Sequence, residues 1–103
     1  MTYTIAKDGS ALTVRIIGRL DVNSSPVLDK ALSPELDGIT DFTIDFAQVE
    51  CVTSMGLRLL LSWQKRMFKQ GDMHIVNVSE GIMTLFDETG FTEIIDIQPA
   101  QSG

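Results

Sequence analysis

Residues 53–58 of this 103-residue chain read Thr-Ser-Met-Gly-Leu-Arg. The hydroxyl of Ser54, beside a second one on Thr53, stands where a long apolar-periodic stretch begins. Three kinds of chemistry suit a serine there. It can cap a helix by accepting a hydrogen bond from one of the first free amides, a gain of about 1 kcal/mol. It can act as a nucleophile, which requires a base within hydrogen-bond reach and a group that orients the base. It can accept a phosphate, which the free amides and the positive dipole end of a helix N-terminus stabilise. The nucleophile reading is the weakest. The sole histidine, His74, falls in a strand-like run, and the Gly-x-Ser-x-Gly elbow is absent, because Val52-Thr53 precede Ser54 and Met55-Gly56 follow it. Gly56 is expected to leave the backbone uncovered, so that another protein's active site can approach the serine. On residue types alone, cap and phosphate acceptor both stay open.

Other reactive groups are sparse. Cys51 is the only cysteine, so neither an internal disulfide nor a multi-cysteine metal site is expected, and its apolar neighbours suggest a half-buried structural thiol. Asp45, Glu50, Asp87 and Glu88 share no motif and read as solvated charge. Without a Gly-Lys-Ser/Thr triplet there is no P-loop. No catalytic residue, metal or cofactor is assigned, and general acid–base or metal chemistry has few candidates. With 14 acidic against 8 basic residues the net charge is −6, the wrong sign for nucleic acid. No apolar run approaches the roughly 18 residues of a membrane span, and the first ten residues lack the pattern of a secretory signal. A cytoplasmic protein is expected.

The elements that must position Ser54 follow from periodicity. Tyr3–Lys7 and Leu12–Gly18 alternate as strands around Asp8-Gly9, expected to form a two-residue hairpin turn. Ser24 or Ser25 can cap a helix over Pro26–Leu32, which Pro34 limits. Asp41–Phe46 alternates as a third strand. The long helix is numbered from Met55 and expected to stop near Gly71 through a positive φ. Met73–Val78 reads as a strand, Glu80–Thr89 as a helix closed by Gly90, Glu93–Ile97 as a fifth strand and 98–103 as a loose tail. The fold class is therefore α/β: a single domain, 1–103, with one small mixed sheet of about five strands. The first two form a hairpin, the later ones run parallel, and the helices pack mainly on one face.

The long helix carries Arg58, Ser62, Lys65, Arg66 and Lys69 as a polar stripe, with half of the chain's eight basic residues. Leu57, Leu60, Leu61 and Phe68 are expected to form the opposite, apolar stripe. Leu59, Trp63 and Met67 form a row on the shoulder between them, read as core, with a partner-binding role as the rival.

Three stretches taken in order carry a family resemblance: "IIGRLDVNSSPVLDKAL", "FTIDFAQVECVTSMGLRLLL" and "MHIVNVSEGIMTLFDETGFTEIIDI". Together they resemble the STAS domain family, and more narrowly its free-standing bacterial anti-sigma factor antagonists. The resemblance implies partner switching. The unmodified antagonist binds an anti-sigma factor that is also a Ser/Thr kinase, and so releases a sigma factor. Phosphorylation at the position of Ser54 breaks the complex, and a protein phosphatase restores it. The docking surface it implies takes Asp21, Asn23 and Ser24 from the loop after the second strand. From the helix start it takes Thr53, Met55, Gly56, Leu57 and Arg58, with Arg58 as an ionic contact. Thr53 stands where the family has an Asp, and Met55 where it has a Ser or Thr. The alternative within the family is an accessory or scaffold subunit of another assembly, such as a lipid-transport ATP-binding complex, in which Ser54 only caps its helix.

Overall fold

The computed structural model describes residues 1–100. The strands are β1 (Thr2–Asp8), β2 (Ala11–Leu20), β3 (Asp41–Val52), β4 (Asp72–Val78) and β5 (Asp96–Pro99). The helices are α1 (Ser24–Leu32), α2 (Ser54–Phe68) and α3 (Glu80–Thr89), and 3₁₀ turns occupy Pro34–Leu36 and Phe91–Glu93. The sheet order is the chain order, β1-β2-β3-β4-β5. β1 and β2 pair antiparallel and every later pair is parallel. Right-handed crossovers that step in one direction across a sheet put every connecting helix on the same face. One face is accordingly covered and the other open, as the sequence pattern implies.

The alternation follows from this. Leu12, Val14 and Ile16 of β2, Phe42, Ile44 and Phe46 of β3, and Met73 and Ile75 of β4 point at the helices, none more than 4% exposed. Thr13, Arg15, Thr43, Asp45 and His74 lie on the other face. Trp63 packs edge-on against Phe42 with ring centroids 5.5 Å apart. Its Nε1 donates to Asp29 Oδ1 at 3.3 Å, which ties α2 to α1.

Several expectations shift. The hairpin turn is Gly9-Ser10, since Asp8 pairs with Ala11. Gly9 has φ +60° and Ser10 is not positive, which is the Gly-first form of a two-residue turn. β3 runs past Phe46 to Val52, because β2 stays paired with it across two register shifts. β5 begins three residues late: the Phe91 ring stacks on Phe86 at 5.8 Å and keeps the chain wound there. Gln98 and Pro99 belong to β5, and the Ala100 amide donates to the Val78 carbonyl at 2.9 Å, so the loose tail does not start at 98. The rest of it, 101–103, lies outside the described residues.

The faces of α2 also move. Its buried arc is Gly56, Leu59, Leu60, Trp63 and Met67, so the Leu59, Trp63, Met67 row is core. Leu57, Leu61 and Phe68 stand about 100–140° round the axis from that arc's centre, at 3.6 residues per turn. They form the shoulder, and Phe68 is 83% exposed. The basic stripe is not uniform either, since Arg66 is tied to the Ser33 carbonyl and to Asp37 Oδ1, both at 2.7 Å.

Gly71 has no positive φ. A Cβ there would run into the backbone of Thr40, so glycine is required by close approach. Gly71→Ala is expected to cost about 3 kcal/mol, since rigid backbone cannot move aside as a side chain can. Gly81→Ala, on open helix surface with nothing within 4 Å, is expected to gain roughly 0.5 kcal/mol. Urea unfolding of the two variants checks both signs.

Candidate functional site

The carbonyl of Leu20, the last residue of β2, organises the edge where Ser54 lies. It accepts the Thr53 amide at 3.0 Å and the Thr53 hydroxyl at 3.4 Å. A Cβ on Gly56 would stand 2.7 Å from the same oxygen and 2.9 Å from Val52 Cγ1. The first turn of α2 therefore rests directly on the end of β2. Gly56 is buried by this contact, so the opening expected for another protein's active site is filled by the chain itself.

The loop after Leu20 is closed by Asp21. Its Oδ1 accepts the amides of Asn23 and Ser24, each at 3.0 Å, and its carbonyl accepts the Ser25 amide at 2.9 Å. Asp21 thus serves the start of α1 in place of the expected Ser24 or Ser25. Those two serines lie inside the first turn and are buried. The Ser24 hydroxyl accepts the Asp21 amide at 2.9 Å and donates to the Arg19 carbonyl at 2.7 Å. The amides of Ser24 and Asn23, with the Ser24 hydroxyl and more distant Arg19, hold the Asp21 carboxyl below its usual range against a small opposing effect of burial.

Thr53 is the N-cap residue of α2, with extended backbone at φ −94° and ψ 178°. Ser54 is the first helical residue, so the cap reading of Ser54 is corrected. Thr53 takes that position because its amide and hydroxyl both turn to Leu20. The first helical bond runs from the Leu57 amide to the Thr53 carbonyl at 2.9 Å, so the amides of Ser54, Met55 and Gly56 have no partner within the helix. Ser54 is exposed, Met55 and Leu57 are half-buried, and Arg58 is exposed. Among the described residues, no carboxylate pairs with Arg58.

Of the residues named from sequence, Asp21 and Asn23 reach the surface on one side of the Leu20 junction. Ser54 and Arg58 do so on the other, while Ser24 and Gly56 hold the geometry from beneath. The sequence reading missed Val27, 57% exposed. Val27 lines a depression of about 450 Å³ with Asp21, Arg19 and Glu50. Its signal was available, since Val27 follows Pro26 and precedes the buried Leu28. A second cleft of about 280 Å³ runs between α1 and α2, lined by Asp29, Met55 and Arg58 among others.

His74 cannot serve Ser54 as a base. It pairs in register with Thr43, near the start of β3, whereas Ser54 follows the end of that strand, roughly 30 Å away at 3.3 Å per residue. Its ring nitrogens face Asp96 at 2.7 Å and Asp41 at 3.3 Å. Among the described residues no group of three or more His, Cys, Asp or Glu is placed to hold a metal, and no helix is long and apolar enough to cross a membrane.

The family model described as STAS domain matches residues 2–102. The anti-sigma-B factor antagonist of Bacillus subtilis (strain 168) is 34% identical over 100 residues, covering 96% of this chain and 92% of that protein. An anti-sigma factor antagonist from Mycobacterium paratuberculosis has a similar structure, with a TM-score of 0.86 at 21% identity over 95% of this chain and 85% of that one. The Bacillus cell fate determinant SpoIIAA in its phosphorylated form gives 0.74 at 16% identity, over 93% and 90%. At these identities the two structures speak for the fold.

The Asp21 cap has a pH signature. A carboxyl whose folded pKa is depressed contributes stability that is fully present above its unfolded value, near 3.8, and is lost as pH falls through the lower folded value. The urea midpoint should therefore drop as pH goes from about 4 toward 2. Asp21→Asn, which keeps an acceptor oxygen but cannot titrate, should flatten part of that drop. An unchanged slope in the variant would remove Asp21 from the account.

Proposed function

The chain belongs to the STAS domain family, and from that premise we propose that it is an anti-sigma factor antagonist switched by phosphorylation of Ser54. In its unmodified form it docks an anti-sigma factor with Ser/Thr kinase activity and frees the sigma factor. The docking surface is the edge built around Leu20: Asp21 and Asn23 on one side, Met55, Leu57 and Arg58 on the other, with Thr53, Ser24 and Gly56 as its supports. The kinase transfers a phosphoryl group from its nucleotide to Ser54 Oγ, whose proton leaves to a base of the kinase. A protein phosphatase hydrolyses the ester and resets the antagonist. The setting is cytoplasmic, where kinase and sigma factor act.

The observation that carries this reading is the placement of Ser54. Ser54 is exposed on the first turn of a helix whose position is fixed against the Asp21 loop. Thr53, beside it, turns its hydroxyl toward the Leu20 carbonyl, which favours Ser54 as the acceptor. A phosphate there meets the unpaired amides of the first turn, and Arg58 stands one turn on. The group brings a charge of about −1.5 to −2. Covering such a dianion with a protein surface that lacks a matching cation is costly. A loss of about 2.7 kcal/mol weakens binding 100-fold, which suffices for release.

The test is binding of the purified chain to a kinase-type anti-sigma factor. The unmodified form and Ser54→Ala are expected to bind alike, and Ser54→Asp at least tenfold more weakly. After incubation with kinase and ATP, phosphate should map to Ser54 and not to Thr53. Equal binding by all three forms with no phosphate incorporated would sink the switch and favour the accessory or scaffold role.

A further inference from the structure

The end of α2 remote from Ser54 carries an apolar hollow that the docking edge does not use. It has a volume of about 600 Å³ and is lined by Leu61, Gln64, Lys65, Phe68, Lys69 and Ile94. Phe68 is 83% exposed and Ile94 50% exposed. The hollow is preformed, since Gln64 Nε2 donates to the Ile94 carbonyl at 2.8 Å and ties the turn before β5 to the helix. Phe68 lies 14 residues beyond Ser54, about 21 Å at 1.5 Å per residue, so an occupant would leave the phosphorylation site clear.

We propose that this hollow docks an acidic amphipathic helix of a second partner protein. Leu61 and Phe68 are seven residues apart on one shoulder of α2, a span of about two turns that suits apolar anchors at i, i+3 or i+4, and i+7 of a helix in a groove. Lys65 and Lys69 stand one turn apart beside them. Among the described residues no carboxylate pairs with either lysine. In a chain of net charge −6, two unpaired lysines on an apolar rim select for acids on the occupant.

The same charges argue against other occupants. A second copy in a two-fold contact would set this pair of lysines against itself, and the two chains repel at −6 each. An anionic membrane also repels so acidic a domain beyond the reach of two lysines.

Two synthetic 16-residue helical peptides distinguish the cases. They share the same apolar residues in i, i+3, i+7 spacing, one flanked by Glu and its twin by Lys. Titrated into the ¹⁵N-labelled full chain, the Glu peptide is expected to shift the amides of residues 61–69 and 94 and leave that of Ser54 in place. The Lys twin should bind at least tenfold more weakly. Phe68→Ser, at a position too exposed to affect folding, and the double variant Lys65→Glu/Lys69→Glu should each weaken the Glu peptide at least tenfold. Equal affinity for the twins would overturn the proposal, as would shifts centred elsewhere or binding that survives Phe68→Ser. So would failure of the Glu peptide alongside self-association, or binding to anionic vesicles, abolished by Phe68→Ser. Ser54→Asp should not change peptide binding, so this surface and the phospho-switch can fail separately.

Discussion

One backbone oxygen, that of Leu20, holds the Asp21 loop and the start of α2 together. β2 and β3 are parallel and end side by side, with Leu20 opposite Val52, so the segments leaving both strands begin next to each other. The Leu20 carbonyl then takes the Thr53 amide and, at longer range, the Thr53 hydroxyl. Gly56 removes the side chain that would keep the helix away. Each hydrogen bond is worth only about 1 kcal/mol net. Their larger effect is geometric. Asp21, next in the chain after Leu20, and Ser54, next after Thr53, become parts of one surface although more than thirty positions separate them.

The open face of the sheet shows how little of the stability needs to come from charge. Asp45 accepts the Ala47 amide at 2.9 Å, Asn77 Nδ2 at 3.1 Å and Arg15 Nε at 3.3 Å. Burial works to raise its pKa, but these donors together leave it lowered. The Ala47 amide belongs to the bulge where β3 slips against β2, so the carboxylate satisfies a donor that the ladder abandons. His74, between Asp96 and Asp41, is a more exposed arrangement of the kind worth about 0–1 kcal/mol. The aromatic and aliphatic rows beneath the helices carry the fold. The polar face only has to keep its buried groups paired.

The inner strands and the helix order were legible because β2, β3 and β4 each bury one face, and a period of two survives in Leu12–Ile16, Phe42–Phe46 and Met73–Ile75. The second half of β3 was hidden by the bulge near Ala47, which breaks that period. The helix starts were not in the pattern: α1 has Asn23 at its N-cap position with Asp21 Oδ1 accepting its first amides, and Thr53 takes the N-cap position of α2 through a bond to Leu20, thirty-three positions earlier. The faces of α2 were misassigned for a related reason. Periodicity gives the relative angles of Leu57, Trp63 and Phe68, but not which of them meets the sheet. Gly71 was read as a turn former, when what demands glycine is the Thr40 backbone, thirty-one positions earlier. At the site, the residue types raised Ser54 as a phosphate acceptor at the free amides of a helix start, family resemblance added Asp21 and the switch, and the buried roles of Ser24 and Gly56 came only with tertiary structure.

The rigidity of that junction bears on how a phosphate could act. Added to a net charge of −6, about −2 more changes the overall field little, so discrimination must be local. A serine on a mobile loop could swing its phosphate into water and leave the rest of an interface intact. Ser54 is held in the first turn of a helix fixed to β2, where a phosphate would meet the free amides and could not retreat. The other end of α2 obeys the same electrostatics with opposite sign. Lys65 and Arg66 lie in its last turn and Lys69 just beyond, where cations favour the negative end of the dipole. That accounts for charge at this end, and Arg66 has its own anchor in Asp37. It does not account for a phenylalanine standing 83% exposed among those lysines. Dipole stabilisation needs no aromatic residue, and a core would have covered it. Phe68 is the feature of this helix that neither stability nor the Ser54 edge explains.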